Sequence, residues 1–288
     1  MEIRHLKYFI KAAELCHFTR AAEELYVSQP ALSAQIRQLE EEIGSELFAR
    51  VGRNVRLTEA GQAFLVRARE AVSAVESAEA ELNAMKGVLK GNLNICSVAA
   101  VGGALLPPFI KALHSAYPDI YVKLSSSTSD HIERGLLEGR YCLGLVPLPP
   151  DNEEFHSLEI YSDEIVVALP AQHKLASRKS LQAKDLNNIP MVLASEHLVT
   201  PRGIGYLQEQ NAQLKIVAES EEIEGVFGLL RENSFITLLP KALVPPNLIS
   251  VPLRPGPPAV KLGLIWTRLS PAAEAFLKLV SESSTVSP

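Results

Sequence analysis

The sequence predicts an α+β, multi-domain protein: a helical N-terminal unit ending in a small β-wing, one long helix, and a C-terminal α/β region. Three observations carry this. Residues 1–58 hold short apolar patterns at helical spacing, broken by turn signals. Residues 59–90 run without proline and are rich in Ala and Glu. Residues 91–288 hold all but one of the 19 prolines and alternate β-branched runs with helical stretches.

The length of 288 residues, at about 150 per domain, fits roughly two domains. Apolar residues make up 47% and charged residues 21%, an ordinary globular composition that excludes a disordered chain. No apolar run approaches the roughly 18 residues that cross a bilayer, and the opening MEIRHLKYFI mixes charges into its first apolar stretch, unlike a signal peptide. The three cysteines, Cys16, Cys96 and Cys142, are scattered and odd in number, which argues against a disulfide framework. A cytoplasmic protein with no membrane partner is expected. The net charge is −5, and residues 1–90 carry twelve basic against thirteen acidic side chains. A global basic patch is missing, so any case for nucleic acid rests on local geometry.

Leu6, Phe9, Ile10 and Ala13 predict a first helix over residues 3–15. Thr19 can cap a second helix that turns Ala22 and Leu25 inward. Ser28 can cap a third, with Pro30 in its first turn, where a missing N–H costs nothing. There Leu32, Ile36, Leu39 and Ile43 form the apolar stripe. At about 100° per residue, Gln29, Pro30, Ser33 and Arg37 project together on an outward face near the N-terminal end. Short or planar hydrogen-bonding groups are needed there if the helix is to approach base edges in a DNA major groove. The helix pattern alone supports an ordinary solvated face equally well. Residues 48–58 then place Arg50, Arg53 and Arg56 on two β-like runs around a Gly-Arg-Asn turn without an acid. Such a wing supplies local charge for phosphates.

In residues 59–90, Phe64, Ala68, Ala71, Val75, Ala78, Leu82, Met85 and Leu89 follow alternating steps of four and three. A sustained 3.5-residue period favours a partner helix over packing within one domain, so a second subunit is expected along this seam. A dimer would present two reading heads to a two-fold-related DNA site.

At this point the sequence resembles the LysR-type transcriptional regulators. The carrying residues are Phe18-Thr-Arg-Ala-Ala22, Leu25, Val27-Ser-Gln-Pro-Ala-Leu-Ser33, Ile36, Leu39-Glu40, Gly44, Leu47-Phe48, Arg50 and Leu57-Thr-Glu-Ala-Gly61. Weaker matches continue at Leu105-Leu106-Pro107, Tyr117-Pro118, residues 165–175, Leu238-Leu-Pro240 and Leu262-Gly-Leu-Ile-Trp266. The resemblance implies a winged helix-turn-helix over residues 1–58, a linker helix over 59–90 that pairs dimers, and a two-lobed effector domain over 91–288 shaped like periplasmic binding proteins. Lobe I would hold residues 91–162 and 262–288, and lobe II residues 163–261. It further implies homodimers assembling into tetramers on promoter double-stranded DNA, RNA polymerase as a partner, and a small-molecule effector. Thr19, Ser28, Gln29, Pro30, Ser33 and Arg37 map to DNA contacts, with Arg50 and Arg53 on the backbone. Ala34 stands where many members carry Arg. Residues 195–202 and 231–240 resemble the cyanate-operon activator subgroup, which makes a small anion one candidate effector.

The C-terminal region reads as strands at 93–98, 120–124 and 141–146, a helix over 130–137, further strands at 165–169 and 191–194, and a helix start at Thr200-Pro-Arg202. Ligands of open α/β sheets sit beyond the carboxyl ends of strands, where helix N-termini offer N–H groups. Ser127, Thr128 and Ser129 of the hydroxyl cluster 125–129, together with Thr200 and Arg202, are therefore effector candidates. Each hydroxyl could equally be a helix cap, Ser129 and Thr200 above all. The resemblance adds Ala100 and Val101 at the first strand–helix turn.

Other classes fare worse. The chain carries no Gly-x-Ser-x-Gly elbow, no Walker loop and no Gly-x-Gly-x-x-Gly, and its seven histidines show no zinc spacing, so no enzyme, cofactor or metal site is expected. A transport-type solute receptor fits residues 91–288 alone, but the N-terminal unit opposes it. Thiol sensing by Cys96 and Cys142, on neighbouring strands, competes with the plain reading of buried cysteine as a small apolar residue.

Overall fold

The computed structural model describes residues 1–51, 54–85, 89–98, 101–150, 152–194, 200–220, 222–232 and 234–284. They form two compact units, residues 1–91 with 137–140 and residues 92–136 with 141–288.

The N-terminal unit runs α1 (Ile3–Leu15), α2 (Phe18–Glu24), α3 (Gln29–Ile43), β1 (Phe48–Val51), β2 (Asn54–Leu57) and α4 (Glu59–Met85). Leu6 and Phe9 of α1, Ala21 and Ala22 of α2, and Leu32, Ile36 and Leu39 of α3 close on one core with Leu47 and Ala68. Its centre is aromatic. The Phe9 ring stands 5.5 Å from Phe48 and 5.2 Å from Phe64, and Phe18 meets Phe48 edge-on at 5.2 Å. These contacts seat the wing and α4 on the three helices.

Ser28 caps α3 as expected: its Oγ accepts the Ala31 N–H at 3.3 Å, and Pro30 lies in the first turn. The second helix differs. Its N-cap is His17, whose Nδ1 accepts the Arg20 N–H at 3.3 Å, and Thr19 lies inside the helix and exposed. The acceptor nitrogen of a neutral imidazole does the work usually given to a hydroxyl or carboxylate.

The wing is an antiparallel pair with Phe48 opposite Leu57 and Val51 opposite Asn54. Glu40 anchors its entrance by accepting the Leu47 and Phe48 N–H groups at 2.8 and 3.1 Å. At its exit Thr58 donates Oγ1–H to Glu46 O at 2.7 Å and accepts the Gly61 N–H at 2.9 Å, starting α4 while tying it to the loop before β1. Gly61 is required by this approach. A Cβ there would stand 2.1 Å from Leu47 O.

Helix α4 spans 27 residues, about 40 Å at 1.5 Å per residue. The start of the expected seam has another role, because Ala68 is buried and Phe64 packs on the domain's own core. Phe64 and Ala68 are thus intradomain contacts. The seam continues outward through Ala71, Val75, Ala78 and Leu82, all exposed on the single chain. The side chain of Met85 lies outside the described residues.

The C-terminal unit is built on two β-layers. The first sheet has the order β4 (Ile120–Ser126), β3 (Gly91–Ser97), β5 (Leu143–Pro147), β12 (Val260–Trp266), β6 (His156–Asp163). Strands β3 and β5 are parallel, and β12 is antiparallel to both β5 and β6. Helices α5 (Val101–Leu105), α6 (Pro107–Ala116), α7 (Ser129–Leu137) and α10 (Pro271–Ser284) accompany this layer. The second layer holds β7 (Ile165–Pro170) between β10 (Thr237–Pro240) and β11 (Leu248–Pro252), with parallel β8 (Pro190–Ala194) and β9 (Lys215–Ser220) bridged to it where Met191 faces Ile236. Helices α8 (Thr200–Glu209) and α9 (Ile223–Leu230) belong here. Fully buried Ile165, Val166, Val167, Ala168 and Leu169 give β7 the continuous apolar run of a central strand. The chain passes between layers twice, after β6 and before β12. Val260 and Lys261 already stand in the first sheet, ahead of the boundary expected at 262.

Candidate nucleic-acid interface

Helix α3 presents the expected face. Leu32, Ile36 and Leu39 are buried, Gln29, Pro30 and Arg37 are exposed, and Ser33 is half-buried beside them. Gln29 donates Nε2–H to Ser33 Oγ at 2.7 Å, so the two candidate base readers hold each other one turn apart. The amide oxygen of Gln29 and the hydroxyl hydrogen of Ser33 remain for another partner.

Charge is sorted along the same helix. Its acids, Glu40, Glu41 and Glu42, sit in the C-terminal half; Glu40 holds the wing, and Glu42 pairs with the Met1 ammonium group. That contact, with a hydrogen bond from Gln38, keeps the Glu42 carboxyl below the usual range. The remaining basic residues divide. Arg4, Lys7, Lys11, Arg67 and Arg69 pair with Glu2, Glu76, Glu14 and Glu24, Glu70, and Glu14 respectively. Arg20 on α2, Arg37 on α3 and Arg56 on β2 are exposed and make no ion pair among the described residues. Near-neutral overall charge therefore conceals three unengaged guanidinium groups on the helix-turn-helix and the wing. Arg50 lies on β1 with its side chain outside the described residues, and Arg53 lies outside them altogether.

Sequence reasoning missed His5. It is buried on α1, donates Nε2–H to Gln35 Oε1 of α3 at 2.8 Å and accepts the Glu2 N–H on Nδ1 at 3.3 Å. The tautomer is thereby set, and α1 is fastened to the reading helix. No spacing rule marks a single histidine for that task.

In the C-terminal unit the hydroxyl cluster is used structurally. Ser125 Oγ–H donates to Ile95 O at 3.4 Å, and the Ser127 N–H donates to Ser97 O at 3.1 Å. Thr128, not Ser129, caps α7: its Oγ1 accepts the His131 N–H at 3.4 Å, and Ser129 is the first helical residue. Val101 is fully buried, and its N–H donates to Val98 O at 3.3 Å. Ala100 lies outside the described residues, as do the side chains of Thr200 and Arg202, whose backbone opens α8. Cys96 is buried opposite Gly144 and therefore diagonal to Cys142. Diagonal neighbours stand about 7–8 Å apart, beyond the usual 4.4–6.8 Å Cα span of a disulfide. No cluster of metal-binding side chains occurs among the described residues.

The passage between layers carries a compact polar knot. The carboxylate of Asp163 accepts from Tyr161 Oη at 2.6 Å, Glu164 N at 2.9 Å and Ala242 N at 2.7 Å. Burial and this carboxylate push the Tyr161 phenol well above its ordinary range. Glu164 pairs with Arg254 at 2.9 Å and Lys241 at 3.6 Å, and these cations hold its carboxyl below the usual range. The knot joins the end of β6 to segments of the second layer.

The chain matches the bacterial regulatory helix-turn-helix family of LysR type over residues 3–62 and the LysR substrate binding domain over residues 86–285. It belongs to the LysR family of transcriptional regulators. The Hca operon transcriptional activator HcaR of Escherichia coli is 33% identical over 98% of both chains. The DNA-binding transcriptional dual regulator OxyR of the same organism is 28% identical over 97% of this chain and 93% of its own. Among solved structures, full-length OxyR from Pseudomonas aeruginosa superposes with a TM-score of 0.77 at 23% identity, covering 99% of this chain and 95% of that one. CbnR complexed with its target DNA gives 0.69 at 25%, covering 98% and 100%. This LysR-type regulator is not an enzyme. It joins a DNA-binding helix-turn-helix to an effector-binding domain.

Proposed function

We propose that this regulator reads promoter DNA with Gln29, Ser33 and Arg37 of α3, placed on the backbone by Ser28, Pro30 and Thr19 and by Arg50 and Arg53 of the wing. The observation that carries the reading is the exposed Gln29–Ser33 pair beside unengaged Arg37, with every acid of α3 in its far half. Amide and guanidinium groups read purine edges in the major groove. CbnR, solved on its target DNA, supports the same use of this domain. The protein acts in the cytoplasm as a homodimer or a tetramer built from dimers, with Ala71, Val75, Ala78, Leu82 and Met85 along the pairing seam and RNA polymerase as its downstream partner.

The effector is a small molecule, an anion being one candidate, bound between the two layers of the C-terminal unit near Ser127, Thr128, Ser129, Ala100, Thr200 and Arg202. The two passages of the chain between layers support a hinge there. Binding alters transcription by favouring one arrangement of the layers over another.

The test is selection of duplexes from a randomised library by the full-length protein, followed by titration of variants. Gln29→Ala should cost about 1–3 kcal/mol of discrimination at one or two base positions. An unaltered preference would remove Gln29 from the reading face.

A further inference from the structure

Tyr26 joins α2 to α3, and neither its backbone conformation nor the packing of the unit calls for a tyrosine there. Its backbone is left-handed, with φ at 56°, and its side chain is 96% exposed. The position ends α2 in a paired turn: Tyr26 N donates to Glu23 O at 3.1 Å, and Val27 N donates to Ala22 O at 3.0 Å. That is the place where helices most often carry glycine, because a Cβ is disfavoured there. The same unit follows this preference at the end of α3, where Gly44 has φ at 75°.

The other described non-glycine residues with positive φ have local reasons. Asn188 and Asn211 belong to the residue type that tolerates this conformation, and Cys16 directs Sγ–H to Ala13 O at 3.3 Å. Tyr26 has neither reason. Among the described residues its ring and hydroxyl touch nothing in the chain, while its neighbours Leu25 and Val27 pack on the core. A disfavoured backbone holding an unengaged aromatic points outward to a partner. The place names the partner, since Tyr26 stands two residues before the cap of the reading helix.

We propose that Tyr26 is a DNA-positioning residue whose phenolic hydroxyl donates to a backbone phosphate flanking the groove that α3 enters. The proposal rests on the DNA reading above. A contact of this kind fixes register without carrying sequence information.

The experiment uses full-length protein, a duplex selected by the wild type from a randomised library, and a mixed-sequence duplex. Affinities are measured by anisotropy for wild type, Tyr26→Phe, Tyr26→Asn and Gln29→Ala, alongside thermal unfolding and sedimentation. Loss of one hydrogen bond to a charged acceptor should weaken Tyr26→Phe about tenfold on both duplexes, leaving their ratio unchanged. Tyr26→Asn should bind at least as weakly while its Tm stays level or rises, because Asn relieves the backbone. Wild-type affinity in Tyr26→Phe, a loss confined to the selected duplex, or a lowered Tm in Tyr26→Asn would each overturn the proposal. So would a change in oligomeric state without a change in DNA affinity. If Gln29→Ala loses discrimination while Tyr26→Phe binds normally, only the Tyr26 assignment falls. A wild type that selects no duplex overturns both.

Discussion

The two units use polar side chains to different ends. In the N-terminal unit His5 ties α1 to α3, Glu40 ties α3 to the wing and Thr58 ties α4 to the loop before β1, and the unengaged guanidinium groups left outward belong to α2, α3 and β2 among the described residues. A rigid platform with free surface groups suits reading a fixed partner such as DNA. In the C-terminal unit one construction occurs twice. Strand β3 ends on Ser97 and β9 on Ser220; five residues later Gly102 and Gly225 lie in the first turns of α5 and α9, against those serines. A Cβ at Gly102 would stand 2.3 Å from Ser97 Oγ, and one at Gly225 2.2 Å from Ser220 Oγ. Each layer thus has its own closely packed strand–helix turn, and Asp163 with its three donors sits at the passage between them. Two separately braced layers with polar links at the crossing suit a unit that changes arrangement. Polar links thus join neighbouring elements into one platform in the first unit and brace each layer by itself in the second.

The largest test of the platform is Gly61→Ala. Its Cβ would collide with a backbone oxygen that cannot rotate away, so the loop before β1 must shift and the Thr58 links must break. Destabilisation of about 3 kcal/mol or more is expected for the N-terminal unit, with loss of DNA binding. Calorimetry on the full-length protein should show its transition moving while the C-terminal transition stays. Coincident shifts of both would mean that the two units do not unfold independently.

Next in size is the seam of α4. Val75 is 38% exposed and Leu82 59% exposed on the single chain, which is apolar surface that a second copy would cover. Val75→Asp with Leu82→Asp would place like charges opposite one another in a paired seam. Sedimentation should show smaller species and weakened DNA binding. An unchanged assembly would mean that α4 does not hold the dimer.

The two strand–helix turns of the C-terminal unit should respond more weakly and unequally. Gly102→Ala meets Ser97 Oγ and also Ser97 Cβ at 2.9 Å, with Ser97 buried, whereas Gly225→Ala meets the Cβ of the less buried Ser220 at 3.1 Å. The cost should be about 1–3 kcal/mol for Gly102→Ala and less for Gly225→Ala. Denaturant titration of each variant checks the order. Equal costs would mean that burial of the serine does not decide whether it can yield.

How far these features were legible depends on whether sequence pattern or tertiary approach controls them. Apolar spacing placed α1 at residues 3–15 and marked Leu32, Ile36 and Leu39 as the inner stripe of α3, because burial of one helical face writes a period directly into residue type. Caps were legible only where the usual residue serves: Ser28 was, but His17 displaced Thr19 and Thr128 displaced Ser129, since adjacent polar residues compete for one N–H. The seam of α4 read as uniform because the same 3.5-residue period arises whether Phe64 meets its own core or Val75 meets another chain. Tyr26 left no trace, since a left-handed residue announces itself only when it is Gly or Asn.

The smallest effect concerns pH and belongs to the C-terminal unit alone. His173 is 8% exposed and accepts the Leu175 N–H on Nδ1 at 3.3 Å. Burial, reinforced by the charge of Lys174, holds its pKa below the ordinary 6.5. The folded state thus favours neutral imidazole, so its contribution to stability is fully present above pH 6.5. As pH falls through that value the unfolded chain takes up a proton that the folded chain resists, and stability declines until the lowered folded pKa is passed. Protonation would also place a hydrogen on Nδ1, where the Leu175 N–H already points. Urea unfolding between about pH 7 and 5 should show the C-terminal transition weakening toward acid, with a shallower slope in His173→Gln. Carboxylates lose their pairs in the same direction, Glu164 among them, so the difference in slope between variant and wild type is the quantity that isolates His173. Parallel slopes would mean that the Leu175 N–H and the surrounding apolar groups tolerate the charged ring.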